Sequence, residues 1–140
     1  MTGYDVRLSA FVALGAALGS MARYGLSWTG LHLVGTGFPW DTLAVNIAGS
    51  WLIGLYAVIS APEGCHPADP VTRQFVLAGF CGGFTTFSVF SLESLWLMQS
   101  GDPWRAALYV AVSLVLWIAG VWLGSRMGRH WNAAAERRER

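Results

Sequence analysis

The chain has 140 residues, 54% apolar and only 12% charged, with 9 Arg, 8 acids, no Lys and a formal net charge of +1. Soluble domains carry about twice that charged fraction, and 17 Gly with 8 Trp suit membrane spans and their interfaces. These numbers exclude a disordered chain, a nucleic-acid binder driven by basic charge and a disulfide-stapled secreted module. They weigh against a soluble enzyme and leave room for one small domain.

The first apolar run, residues 8–22, is free of Asp, Glu, Lys and Arg. It reaches bilayer length only by continuing past Arg23 to Trp28, with the arginine snorkelling to the interface. Arg7 ahead of an apolar stretch has the look of a signal peptide. No small-x-small site closes it, and Tyr24 and Trp28 extend it, so a retained helix is expected over 8–28. Gly15-Ala-Ala-Leu-Gly19 is a small-residue packing motif. Residues 29–41, with Gly30, His32, Gly35, Gly37 and Pro39, read as a connection.

The charge-free runs 42–60, 74–92 and 106–125 each give about 19–20 residues, roughly 28–30 Å as helix, which matches a bilayer's hydrocarbon core. Spans are therefore expected over about 42–60, 74–98 and 105–125. In span two, Asn46 sits about one turn inside. A buried amide is costly unless partnered, so it either bonds across helices or donates N–H groups to a ligand. Gly49, Ser50 and Gly54 offer a close-packing face. The 61–73 connection holds Pro62, Gly64, Pro67 and Pro70, with Cys65 and His66. Cys81 lies instead in an apolar run, so neither a disulfide nor a zinc site is expected.

Span three is the least ordinary segment. Gly79, Gly82 and Gly83 each cost about 1 kcal/mol of helix propensity relative to Ala, and Thr85, Thr86, Ser88 and Ser91 follow closely. Gly-Gly-Phe-Thr-Thr points to a break in mid-membrane, where freed backbone groups need protein, water or an ion. A freed carbonyl suits a hard cation and a half-helix N-terminus suits an anion. A continuous, closely packed helix is the other reading. Phe84, Phe87 and Phe90 recur every three residues. They are lipid-facing or core aromatics, or ring edges, which are positive, lining a passage for a small anion.

Residues 100–105, SGDPWR, form a tight turn with Pro103 placed to open the last helix. Span four carries a second packing motif at Gly120 and Gly124, and Tyr109 and Ser113 share one of its faces. The tail 126–140, with Arg126, Arg129, Arg137, Arg138 and Arg140, is either a solvated helix end or a segment held against lipid phosphates. His130 also lies there, and none of the three histidines has a ligand-like setting. Glu93, near the end of span three, is the only carboxylate that could lie deep. The chain shows no catalytic constellation.

Three motifs then coincide in order: Gly15-Ala-Ala-Leu-Gly-Ser-Met-Ala-Arg-Tyr24, Thr42-Leu-Ala-Val-Asn-Ile-Ala-Gly-Ser50, and Gly79-Phe-Cys-Gly-Gly-Phe-Thr-Thr-Phe-Ser-Val-Phe-Ser-Leu-Glu93. By these the chain resembles the Fluc fluoride channels, also called CrcB-like proteins, across all four spans, most weakly in span four. The resemblance implies an all-α integral membrane protein with four transmembrane helices per subunit, the third broken in mid-membrane, paired as an antiparallel dual-topology dimer. It implies passive fluoride efflux across a bacterial inner membrane, protection from fluoride toxicity, and two pores per dimer. Asn46 would donate to fluoride, Phe87 and Phe90 would be the pore phenylalanines, and Thr86 and Ser88 polar neighbours. Tyr109 and Ser113 would be span-four partners and Arg23 a vestibule residue. Gly82 and Thr85 would offer backbone carbonyls to a structural sodium ion. The implied partners are fluoride, membrane lipid and a second copy, and no nucleic acid.

Arginine placement strains this pattern. With both termini on one side, that side carries seven (7, 73, 126, 129, 137, 138, 140) and the other carries Arg23 and Arg105. The positive-inside rule then puts the termini in the cytoplasm, whereas an antiparallel homodimer needs little bias. An oppositely oriented paralogue is the other partner the resemblance allows. The competing functional class is a four-span, dual-topology, proton-coupled drug or cation exporter. It needs a carboxylate inside span one to carry the proton, and residues 8–22 have none.

Overall fold

The computed structural model describes residues 3–34 and 37–139, with the side chains of residues 3–29 and 37–138. Gly35, Arg140 and the side chain of His32 lie outside the described residues. Helix α1 runs Gly3–Val34, α2 Trp40–Ile59, α3 Pro70–Gln74, α4 Gly82–Phe84, α5 Phe87–Gln99 and α6 Pro103–Glu139, with a π-helical segment Phe75–Cys81 joining α3 to α4. The described residues contain four helical stretches long and apolar enough to cross a membrane: Gly3–Thr29, Trp40–Ile59, Pro70–Gln99 and Pro103–Arg138. The protein is an all-α, multi-pass membrane protein.

Local chemistry sets the boundaries. Asp69 caps α3, accepting from Val71 N at 3.0 Å and Thr72 N at 3.3 Å, with Pro70 following at a position that needs no N–H. The end of α5 is closed by Gly101 N–H to Met98 O (3.3 Å) and Asp102 N–H to Leu97 O (3.2 Å), with Gly101 at φ 85°. This Schellman closure needs the left-handed conformation that glycine adopts freely. It turns the chain directly into Pro103 and α6.

Helix α1 continues six residues beyond Trp28, through what reads in sequence as a connection. One interior glycine, Gly30, costs only about 1 kcal/mol. That is too little to stop a helix with no proline before Pro39.

Two backbone-to-backbone seams hold the bundle. Along the first, α1 lies against the π-helical segment and α4. A Cβ at Gly15 would strike the Phe75 carbonyl, one at Gly19 the Phe80 carbonyl, and one at Gly83 the Ala16 carbonyl. Gly79 and Gly83 thus repeat on the third span the four-residue spacing of Gly15 and Gly19, and the two motifs face each other. Along the second seam α2 packs on α6, where Gly54 meets Val121 O and Gly124 meets Trp51 O. Lipid offers no hydrophobic drive for helix association, so such close dispersion contact is what binds the helices. Leu43, Phe90 and Tyr109 form a buried cluster with Phe38, Ile47, Leu97, Val110 and Trp117 against it.

Candidate functional site

The third span is broken, at Thr85–Thr86. Thr85 (φ −77°, ψ 158°) and Thr86 (φ −146°, ψ 119°) are extended, between α4 and α5. The glycines that weaken the sequence locally remain helical; the break lies just beyond them.

The broken ladder can be followed group by group. In a continuous helix the Thr86 amide would bond to the Gly82 carbonyl and the Val89 amide to the Thr85 carbonyl. Here the Thr86 amide donates to Asn46 Oδ1 at 2.7 Å, and the Val89 amide to Thr86 Oγ1 at 3.2 Å. Asn46 Nδ2 donates back to the Thr86 carbonyl at 2.9 Å. The Asn46 amide therefore grips both polar groups of one extended residue. It is at once an interhelical tie and a donor with one N–H left over. On the α1 side, Gly83 O accepts from Ser20 Oγ at 3.3 Å and Arg23 Nε at 3.2 Å. Arg23 is thus placed against the break, about three turns before α1 ends, and not at a helix end. Its remaining guanidinium N–H groups are not used in that contact.

Beside the break lies a cavity of about 180 Å³ walled by Asn46, Ser50, Thr85, Thr86, Phe87 and Trp117. The N-terminus of α5 opens onto it. Unpaired amides there carry the positive end of the helix dipole, and a helix N-terminus of this length favours an anion. Phe87 and Phe90 neighbour each other, ring centroids 5.6 Å apart, yet their settings differ. Phe90 is 5% exposed and Phe87 70%. Phe87 belongs to both the cavity and the outer surface of the chain. Ser88 is also exposed, its hydroxyl 3.4 Å from Thr86 Oγ1.

A polar line leads on from there. Ser113 is fully buried, one turn from Tyr109 on α6, and its hydroxyl has no partner among the described residues. Tyr109, also fully buried, donates its hydroxyl to Glu93 Oε2 at 2.8 Å, and Thr42 donates to Glu93 Oε1 at 2.8 Å. One donor on each oxygen suits an acceptor-only carboxylate. Glu93 then opens onto a second cavity of about 510 Å³, with Asp41, Trp96, Asp102 and Arg105 in its wall. Arg105 pairs with Asp102 at 3.3 Å. Sequence reading assigns Glu93 no role and does not single out Thr42, Ser20 or Trp117. For Thr42 and Glu93 the available signal was two polar residues near the same end of adjoining spans. The Arg23–Gly83 contact left none.

The structure also bears on whether Gly82 and Thr85 could hold a hard cation. Both carbonyls lose the amide that would bond them in a continuous helix, Thr86 N–H going to Asn46 and Val89 N–H to the Thr86 hydroxyl. A Cβ at Gly82 would meet nothing within 4 Å, so this face is open. Backbone oxygens suit sodium. One chain offers two.

Likeness to known proteins bears on this arrangement. The family model described as "CrcB-like protein, Camphor Resistance (CrcB)" matches residues 10–125. "Fluoride-specific ion channel FluC 1" of Rhodopseudomonas palustris (strain BisB18) is 45% identical over 125 residues, covering 89% of each chain. The protein of the same name in Bradyrhizobium diazoefficiens is 47% identical over 126 residues, 89% of this chain and 87% of that one. "Fluoride-specific ion channel FluC" of Opitutus terrae is 49% identical over 114 residues, 81% of this chain and 86% of that one.

Proposed function

The chain belongs to the CrcB-like family, and on that premise we propose that it is a fluoride-selective channel giving passive fluoride efflux across a bacterial inner membrane. The observation that carries the reading is the break at Thr85–Thr86. It aims the positive end of α5, the spare Asn46 N–H and the Thr86 hydroxyl at a cavity with a phenyl wall.

Fluoride is small and strongly hydrated, so a selective path must replace its water with short-range donors already in place. Asn46, Thr86 and Ser88 supply these at the break. The edges of Phe87 and Phe90 present partial positive charge without offering an acceptor. Ser113 continues the donors along α6, and Tyr109 beyond it gives its one O–H to Glu93. Arg23, with guanidinium N–H groups to spare, draws anions to the vestibule.

Two copies insert in opposite directions, giving two pores. The exposure of Phe87 and the open face at Gly82 support this, because both residues are then covered by the partner. Gly82 and Thr85 from each copy would hold a structural sodium ion, which ties the two breaks together. A proton-coupled exporter is disfavoured, since residues 8–22 hold no acid and both oxygens of Glu93 are occupied by hydroxyls.

The test is efflux from liposomes containing the purified protein, with and without sodium. Fluoride is expected to leave much faster than chloride, without a proton gradient, and Phe87→Ile to abolish the flux while leaving the dimer intact. Equal fluoride and chloride rates, or a requirement for a proton gradient, would defeat the proposal. Full flux and an unchanged dimer in sodium-free buffer would remove the metal.

A further inference from the structure

Helix α2 contributes Asn46, Ser50 and Ile53 to the wall of the 180 Å³ cavity beside the break. Close contacts on two sides fix Ser50 in that wall. A Cβ at Gly49 would strike the Thr85 methyl, so the α2 backbone lies directly against the break. A Cβ at Gly120 would meet the Ser50 Cβ at 3.3 Å, so α6 holds the serine from its other side. A serine inside a helix can spend its hydroxyl on the carbonyl four residues back, and Ser91 and Ser94 do so at 2.9 and 2.8 Å. Ser50 does not. Its hydroxyl makes no hydrogen bond among the described residues and, unlike that of Ser113, is not shut off from solvent. A serine carries its oxygen one bond from Cβ, so an open hydroxyl on a cavity-lining residue stands at the cavity wall.

Resting on the fluoride-channel reading above, we propose that Ser50 is a further fluoride-coordinating residue, its hydroxyl donating to the ion in this cavity from the turn of α2 next to Asn46. Residues four apart on a helix set their Cβ atoms about 5–6 Å apart, which lets one small ion lie within reach of both side chains. The Asn46 amide has a single N–H left after its bond to Thr86; Ser50 doubles the donors that α2 offers. A hydroxyl holds water through its donor or its lone pairs while the site waits, and turns its O–H to an anion that enters. Because charge interactions fall with distance, a compact donor favours the smaller halide. From sequence alone Ser50 reads only as part of a close-packing face.

The experiment uses the full channel. Ser50→Ala removes the hydroxyl alone. Ser125→Ala is the control, since the Ser125 hydroxyl, at the same α2–α6 seam, is taken up by the Gly54 carbonyl. Fluoride efflux from liposomes is expected to fall about tenfold in the first, the scale of one hydrogen bond to a charged group, and to be unchanged in the second. In the purified wild-type protein labelled with 13C at serine Cβ, the resonance missing from Ser50→Ala is expected to shift on titration with sodium fluoride and not with sodium chloride. A serine that only packs helices together gives no such response. Should the alanine variant fail to assemble, Ser50→Cys keeps the shape with a much weaker donor and serves both measurements. Efflux within twofold of wild type, or a Ser50 resonance that ignores fluoride or follows chloride equally, overturns the assignment. Wild-type protein that passes no fluoride overturns the channel reading itself, a different result from a working channel indifferent to the loss of this hydroxyl.

Discussion

Replacing Asn46 by Ala removes both hydrogen bonds that hold Thr86 extended, at 2.7 and 2.9 Å. Each bond is worth about 1 kcal/mol net, but the larger effect is on the groups left behind. Stranding a buried amide and a buried carbonyl costs roughly 1–3 kcal/mol apiece, so the broken conformation loses about 2–6 kcal/mol. The chain has a way to recover part of this. The Thr86 amide can return to the Gly82 carbonyl and wind residues 82–86 into helix. Even the lower figure shifts the balance between broken and wound forms about thirtyfold. The expected outcome is loss of fluoride efflux in Asn46→Ala, with the protein still folded. Slowed hydrogen exchange at the Thr86 amide would report its recapture by the helix. Asn46→Gln keeps the amide but moves it outward by one methylene, and should fall between the two. Wild-type efflux together with unchanged exchange at Thr86 in Asn46→Ala would refute the idea that this side chain maintains the break.

Two glycines should separate packing within a chain from contact between chains. A Cβ at Gly19 would lie 2.8 Å from Phe84 N and closer still to Phe80 O, against an ordinary contact of 3.4 Å or more. Gly19→Ala should therefore push α1 off the third span at a cost of about 1–3 kcal/mol, read as a lowered melting temperature, whereas Gly82→Ala should spare the fold and weaken the dimer. The reverse pattern would mean that the first seam does not hold the bundle. At the entry to the third span, hydrogen bonds from the Thr72 hydroxyl and amide, and from the Val71 amide, hold Asp69 below the usual carboxylate range. Its cap therefore contributes fully above about pH 4, the unfolded value, and is lost as pH falls through the lower folded value. Protection of the residue 71–74 amides from hydrogen exchange, taken relative to an unstructured chain at the same pH, should fall on acidification below about pH 4, and Asp69→Ala should abolish that fall; an unchanged profile in the variant would refute it.

Composition and run length made the four spans legible, because crossing a bilayer imposes a length and an absence of charge that few other folds share. The break was legible in kind and, to within residues 82–86, in place. Local propensity points to Gly82 and Gly83, yet these stay helical, because glycine weakens a helix without offering its backbone another partner. The chain opens at Thr86, where Asn46, forty residues earlier, supplies that partner. Such a partner is a fact of tertiary contact and leaves no trace in a window of neighbouring residues. For the same reason Arg23 reads locally as an interfacial side chain, while the structure engages it with Gly83. The Gly15 and Gly19 pair was legible as a packing motif. Its match, Gly79 and Gly83, has the same spacing but is overlaid by the more conspicuous Gly82–Gly83 pair.

Helix α6 spans 37 residues without interruption, about 55 Å at helical rise, against a hydrocarbon core of about 30 Å. Asn132 braces the excess against the 61–69 connection, accepting from Cys65 N at 3.0 Å. The protein thus carries a built-in stiff mast. A soluble domain fused in helical register beyond it would stand at a fixed bearing, rotated about 100° by each residue added to the junction. For a channel this small, such an appendage supplies the bulk that single-particle imaging needs. In an antiparallel pair it would also mark each leaflet with one visible flag.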